Sequence, residues 1–146
     1  YNYDRIIYNN KNIYKIGCNK NTSLFINNKF NLISFGSNEY GTLGIGTQKR
    51  KRFNTIYIDN DNKIKDLSCG EYHNGFITFN GNLYMFGNNY HTQCGINNIN
   101  KDKSILYQPL KIDINKINIK SIINNGNNNI IIKRRRNNNS NNNSDN

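Results

Sequence analysis

Residues 35–46 read FGSNEYGTLGIG, and residues 86–97 read FGNNYHTQCGIN. Phe35 aligns with Phe86, Gly36 with Gly87, Asn38 with Asn89, Gly44 with Gly95 and Ile45 with Ile96, at a spacing of 51 residues (87 − 36 = 51). The spacing holds upstream. Leu32 meets Leu83, Phe25 and Ile26 meet Phe76 and Ile77, Cys18 meets Cys69, Ile16 meets Leu67, Ile13 meets Ile64 and Ile7 meets Ile58. A gap-free register this long marks an internal repeat. A weaker third copy begins where Ile119, Ile122 and Gly126 resemble Ile64, Leu67 and Gly70 at a spacing of 55 or 56, the longer loop 97–108 absorbing the difference.

Read alone, the glycine-rich stretch raises the alternative of a phosphate cradle. Such a cradle aims consecutive backbone N–H groups inward, usually at a helix N-terminus. Its dinucleotide form is G-x-G-x-x-G opening a helix. Here Gly41-x-x-Gly44-x-Gly46 has the reverse spacing, no helical pattern follows, and the Lys-Ser/Thr of a P-loop is missing. Recurrence of the same glycines beside the same aromatic and Asn points instead to a backbone requirement met once per repeat. Gly36 is expected to let the chain leave a strand after Phe35 packs between repeats. Gly41 and Gly44 are expected to bend it back.

Each copy carries short apolar runs bounded by Asn and Gly. They are NIYKIGC (12–18), SLFIN (23–27), NLISF (31–35) and TIYI (55–58), then KIKDLSC (63–69), GFITF (75–79), NLYMF (82–86) and LKIDI (110–114). Ile, Tyr, Phe and Thr suit pleated, half-buried strands. Asn80-Gly81 predicts a type I′ hairpin turn, whereas the first copy has the less suitable Lys29-Phe30 there. No segment shows amphipathic helical periodicity. The expected fold is all-β: antiparallel four-stranded blades of a partial β-propeller, each stacked on the next because one blade cannot bury both faces alone. The expected divisions are 1–15, the end of a preceding blade; 16–66, the first repeat; 67–118, the second; 119–133, the start of a third; and 134–146, a disordered Asn/Ser-rich tail without apolar residues.

These residues resemble the repeat of the regulator of chromosome condensation family: Cys-Gly-x-x-His between apolar strands, then an aromatic-Gly-x-Asn loop ending in Gly. Cys69, Gly70 and His73 fit the first element. Phe86, Gly87, Asn89, Gln93 and Gly95 fit the second, as do Phe35, Gly36, Asn38, Gly41, Leu43 and Gly44. Pro109 and Ile112 match the close of the repeat. Phe stands in place of the family's Trp both times, and Cys18-Asn19-Lys20-Asn21-Thr22 replaces Cys-Gly-x-x-His in the first copy. The resemblance implies a normally seven-bladed propeller of roughly 350 residues. The chain therefore reads as a fragment, a truncated product or a section of a divergent propeller, and its lack of an initial Met agrees with a processed or excised piece.

Composition narrows the function classes. Asn accounts for 35 of 146 residues, and the net charge is +11. Such charge attracts polyanions, although Asn, Lys, Ile and Tyr enrichment also follows from A/T-rich codons. The basic runs Lys49-Arg50-Lys51-Arg52 and Lys133-Arg134-Arg135-Arg136 suit chromatin or nucleic-acid contact or nuclear import; solvated loops are the alternative. Three cysteines without a signal-peptide pattern fit reduced thiols and nuclear or cytoplasmic residence. No run approaches the ~20 apolar residues of a membrane span, so no membrane partner is expected.

Cys69, His73, His91 and Cys94 have spacings that could supply four zinc ligands. The preferred reading is structural, with the thiols packing as small hydrophobes and His73 bonding backbone carbonyls. No metal, cofactor or catalytic residue is expected, since neither a nucleophile–base arrangement nor paired carboxylates is visible. The expected function is a non-catalytic protein-interaction module that presents blade loops, with Glu39, Tyr40, Tyr90 and His91 at equivalent loop positions lining the partner face. The family resemblance adds an alternative, guanine-nucleotide exchange on a Ran-like small GTPase. Chromatin or nucleic-acid contact through the basic loops is the second alternative.

Overall fold

A computed structural model describes residues 12–46, 51, 53–58, 63–96, 104–113, 119–125 and 129–134. Two four-stranded antiparallel sheets follow one another, each in sequential strand order. The first comprises β1 (Ile13–Cys18), β2 (Thr22–Asn27), β3 (Leu32–Gly36) and β4 (Asn54–Ile56). The second comprises β5 (Ile64–Cys69), β6 (His73–Thr78), β7 (Leu83–Asn88) and β8 (Ile105–Ile112). A separate hairpin pairs β9 (Ile119–Asn125) with β10 (Asn129–Arg134). This is the meander of two propeller-like blades, as the repeat predicts.

The registers reproduce one another. Phe25 opposes Ile33 in the first sheet as Phe76 opposes Tyr84 in the second, and Thr22 opposes Gly36 as His73 opposes Gly87. Strand alternation then sorts the apolar residues by face. Leu24, Ile26, Leu32 and Ile56 of the first sheet close on Ile64, Leu67, Phe76, Tyr84 and Phe86 of the second. On the far face of the second sheet, Ile77, Leu83, Met85 and Cys94 pack with Ile122 of β9. The seam-side face of the first sheet and the far face of the second thus each meet the next element in the chain, and among the described residues the stack holds without a helix.

Phe86 is fully buried between the sheets, beneath the Gly44 loop. Its counterpart Phe35 faces away from the second sheet. It lies on the opposite face of the first sheet, half-buried, with ring centroids 6.4 Å from Phe25 and 5.4 Å from Phe53.

Two local expectations are corrected. The fourth strand of the second copy runs from 105 to 112 rather than 110–114. Pro109 sits within it at a break in the β7–β8 register, on the sheet's edge strand, the two settings in which a strand tolerates proline. The turn at Asn80-Gly81 is not type I′, because only Gly81 has positive φ (81°). The Gly81 N–H donates to the Thr78 carbonyl (3.0 Å), and the Thr78 N–H donates to the Asn82 carbonyl (3.0 Å). That is a three-residue connection with one left-handed position. In the first copy Phe30 fills that position at φ 61°, a conformation costly for a bulky side chain. Its ring packs edge-on against Tyr14 and Phe79.

Candidate functional site

The aromatic-Gly-x-Asn loops are closed on themselves. In the first, the Asn38 carbonyl accepts from Gly41 N–H (3.0 Å), the Gly41 carbonyl from Gly44 N–H (3.0 Å), and Asn38 Oδ1 from Leu43 N–H (3.0 Å). In the second, the Asn89 carbonyl accepts from Thr92 N–H, the Thr92 carbonyl from Gly95 N–H, and Asn89 Oδ1 from Cys94 N–H (2.9 Å). The N–H groups that would cradle a phosphate are already donated inside the loop. The glycines serve conformation: Gly36, Gly41 and Gly44 have φ of 119°, 70° and 66°, and Gly87 and Gly95 have 105° and 73°. Thr92 takes the place of Gly41 at φ 57°.

Gly36 and Gly87 share a second constraint. A Cβ on Gly36 would lie 2.3 Å from the Asn21 carbonyl oxygen, and one on Gly87 2.6 Å from that of Tyr72. Those same carbonyls accept from Ser37 N–H and Asn88 N–H, both at 2.8 Å. The strand can leave its sheet only by crossing directly over the preceding turn.

The Cys-Gly-x-x-His element is structural. Gly70 N–H donates to the His73 carbonyl (2.8 Å), and a Cβ on Gly70 would strike the His73 ring at 2.2 Å. His73 Nε2 is buried without a hydrogen-bond partner among the described residues. Burial holds its pKa below the ordinary histidine value. In the first copy Thr22 replaces His73 and bonds Thr42 Oγ1 (2.7 Å) and the Ser37 carbonyl (2.9 Å). Asn19 Oδ1 meanwhile accepts from Asn21 N–H and Thr22 N–H.

The four zinc candidates do not assemble: among the described residues no three His, Cys, Asp or Glu converge. Burial pushes the thiols of Cys69 and Cys94 up to about 12, which keeps them protonated. Cys94 lies in the core, whereas His91 is exposed. Of the basic runs, Lys51 is exposed, and its backbone N–H donates to Asn54 Oδ1 (2.9 Å). Lys133 and Arg134 end β10. Lys49, Arg50, Arg52, Arg135, Arg136 and the tail 137–146 lie outside the described residues.

The loops after β1, β3, β5 and β7 emerge at the same end of the two sheets, an arrangement dictated by antiparallel order. All four partner-face candidates are there. Glu39, Tyr90 and His91 are exposed, and Tyr40 is half-buried. Tyr40 lies against a residue that sequence reading missed, Tyr72, at 4.8 Å between centroids. Lys20 joins them across the seam, donating to Tyr72 Oη (3.0 Å) and standing 3.8 Å from Glu71 Oε1. The hydrogen bond to Tyr72, with smaller contributions from Glu71 and Tyr40, raises the Lys20 pKa.

Beneath this surface, buried Asn74 clamps the seam. It donates to the Thr42 carbonyl (2.9 Å) and accepts from Asn19 Nδ2 (3.3 Å). Lys15 pairs with the largely buried Asp66 on the inner strands. Asp66 also accepts from Leu67 N–H (2.9 Å) and from Ile122 N–H of β9 (3.3 Å). Lys15 with Asp66, and Lys20 with Glu71, are each 51 residues apart. Complementary charge at repeat-equivalent positions was the signal that would have found them. Further out, a cleft of about 290 Å³ between the β4 and β8 sides is lined by residues including Thr55, Tyr57 and Gln108. Among the described residues it gathers no charged group.

Two tandem antiparallel blades with self-clamped Asn/Gly loops define a propeller-type repeat module. The regulator of chromosome condensation (RCC1) repeat matches residues 31–77 and again residues 64–93, so this part of the 146-residue chain carries two repeats of that family. The first match starts at β3 and ends in β6, so the family's repeat frame straddles two sheets and ties neighbours together.

Among similar proteins, the human X-linked retinitis pigmentosa GTPase regulator is 34% identical over 84 residues, covering 56% of this chain and 8% of the relative. A Dictyostelium discoideum RCC1 repeat-containing protein is 34% identical over 96 residues, covering 60% of this chain and 20% of the relative. The chain thus spans only a small part of the relatives it matches. Yeast RCC1 (Prp20), in its structure with Kap60, superposes with a TM-score of 0.73 at 20% identity, covering 89% of this chain and 29% of that one. Prp20p from Saccharomyces cerevisiae, described together with its binding to Gsp1p and histones, gives 0.68 at 19% identity, covering 85% and 31%. The two structural likenesses establish the blade fold.

Proposed function

We propose that this chain is a non-catalytic protein-interaction module that presents the loops at one end of its blades to a protein partner. The observation that carries the reading is the grouping of Glu39, Tyr40, Tyr72, Tyr90 and His91 at one end of two stacked sheets. Those loops are held by their own hydrogen bonds, so little ordering is needed on contact. Tyrosines on a rigid scaffold supply large contact area at low entropic cost. Relatives named as GTPase regulators, and Prp20p with its Gsp1p binding, favour a small GTPase as the partner class. Guanine-nucleotide exchange is the second reading. Exchange forms no covalent bond: the exchanger binds the nucleotide-free GTPase better than the loaded one. Chromatin contact through the basic runs is compatible with either, as is nuclear residence.

Lysine-directed cross-linking of the full chain to a Ran-type GTPase tests the contact face. Lys20 marks the loop end, whereas Lys29 and Lys63 mark the opposite end. Cross-links concentrated on Lys20 support the reading, and cross-links confined to Lys29 and Lys63 refute it. Nucleotide release from the loaded GTPase, accelerated or not, separates exchange from simple binding.

A further inference from the structure

The chain contains only two glutamates, Glu39 and Glu71, and each precedes a tyrosine, Tyr40 and Tyr72. The fold brings both Glu-Tyr pairs to the same seam, one from each blade, with the tyrosine rings packed at 4.8 Å. A cation already sits there. Lys20 Nζ is bonded to Tyr72 Oη at 3.0 Å, 5.5 Å from the Tyr72 ring centroid and 3.8 Å from Glu71. Aromatic faces beside carboxylates attract an ammonium or guanidinium group by quadrupole and charge together. Glu39 is exposed on the Tyr40 side.

We propose that the two Glu-Tyr pairs form a recognition site for a single lysine or arginine side chain of a protein partner, and that Lys20 is its built-in competitor. The proposal rests on the loop-face reading above and names the chemistry that this face takes. The Lys20 side chain is 58% exposed and that of Glu71 33%. Their pair is therefore a weak, solvent-screened one that an incoming cation can displace. An arginine can make two parallel hydrogen bonds to a carboxylate where Lys20 reaches it at a single, longer separation. The raised Lys20 pKa has the same origin as the proposed affinity, since tyrosine and glutamate both favour a charged group at that point. The chain's own charge of +11 opposes a polybasic ligand. Screening over ~8 Å at physiological salt spares a lone basic residue carried among neutral ones.

The full chain is titrated with N-acetyl-arginine amide, and amide and tyrosine-ring resonances are followed by NMR. N-acetyl-glutamine amide is the neutral control. Shifts should localise to residues 20, 39–40 and 71–72. Lys20→Ala frees the site and should tighten apparent binding by roughly threefold or more, because a site occupied by its own competitor is only fractionally available. Glu71→Gln should weaken binding by a similar factor, and Lys20→Arg, a stronger built-in competitor, should weaken it below wild type. The Lys20 side chain is exposed and that of Glu71 only partly buried, so all variants should fold, which unchanged remote resonances check. Unchanged or weaker binding in Lys20→Ala, equal shifts with the glutamine control, or shifts centred elsewhere would overturn the proposal. If GTPase cross-links stay on Lys20 while Lys20→Ala leaves arginine binding unchanged, the loop-face reading stands and this one fails.

Discussion

Replacing Gly36 by alanine tests the central claim about the repeat, that its first loop glycine exists to let β3 cross the preceding turn. Gly36 has φ 119°, and the added methyl carbon would lie 2.3 Å from the Asn21 carbonyl oxygen and 2.9 Å from Thr22 Cα. Both obstacles are backbone, so no side-chain rotation relieves them. The backbone conformation alone costs about 1–3 kcal/mol for a non-glycine residue. Restoring contact distance must displace the Asn21 carbonyl, which Ser37 N–H holds at 2.8 Å. Loss of that hydrogen bond adds about 1 kcal/mol. The expected loss is therefore about 2–4 kcal/mol.

Gly95→Ala is the matched control, because its φ is 73° but nothing lies within 4 Å of the new methyl. It should cost about 1 kcal/mol, the conformational part alone. Urea and thermal unfolding of the full chain, followed by far-UV circular dichroism, report both variants. The gap of about 1–3 kcal/mol corresponds to roughly 3–12 °C in Tm for a domain of this size. Gly87→Ala, with a backbone oxygen at 2.6 Å, should behave as Gly36→Ala does. A difference below about 1 kcal/mol between Gly36→Ala and Gly95→Ala would show that close backbone approach is not what the glycine is for.

Three further outcomes follow from single residues. Thr92 is exposed and β-branched at φ 57°, so Thr92→Gly should stabilise by about 1 kcal/mol in urea unfolding. Burial lowers the His73 pKa, so the fold favours the neutral ring. Its contribution is then full above about pH 6.5 and is lost as pH falls from there towards the folded pKa, by at most about 1.4 kcal/mol per pH unit. His73→Gln should flatten that limb between about pH 6.5 and 5 in a pH series of unfolding midpoints. On the inner strands, Asp66→Ala strips an acceptor from Leu67 N–H and Ile122 N–H and should cost about 2–3 kcal/mol. Lys15→Ala removes only a partly exposed charge and should cost below about 1 kcal/mol; equal losses would mean that the ion pair, not the two N–H bonds, is what Asp66 supplies.

The sequence disclosed the backbone's demands more readily than its side-chain contacts. Gly36 with Gly87 and Gly44 with Gly95 were visible because a positive φ admits few residues, so the requirement leaves the same letter at the same spacing. Strand runs were visible because stacked blades bury both faces and keep Ile, Leu and Phe in register. The extent of β8 was hidden because Tyr107, Gln108 and Pro109 lie on an edge strand that carries little alternation. The turn at 79–81 was misread because Asn-Gly suits both a two-residue and a three-residue connection. Of the contact face, Glu39, Tyr40, Tyr90 and His91 were legible as equivalent loop positions. Tyr72 was not, since it meets Tyr40 at non-equivalent positions of neighbouring copies.

The ion pairs expose a constraint on any stacked repeat. Successive blades bring equivalent positions near one another across the seam, as Lys15 with Asp66 and Lys20 with Glu71 show. Two identical copies would place like charges together there, which is destabilising. Tandem repeats can share glycines and apolar faces, but at seam positions that carry charge neighbouring copies must differ. That difference gives the stack a direction, with lysine on the earlier blade and acid on the later one. Asp66 extends the order by accepting from β9, so the inner strands of three successive elements are joined through one carboxylate. Divergence between the copies is thus part of how the fold is specified. The same freedom at the loop end, where Lys20 stands opposite Glu71, is what lets one seam acquire a recognition chemistry that an exact repeat would lack.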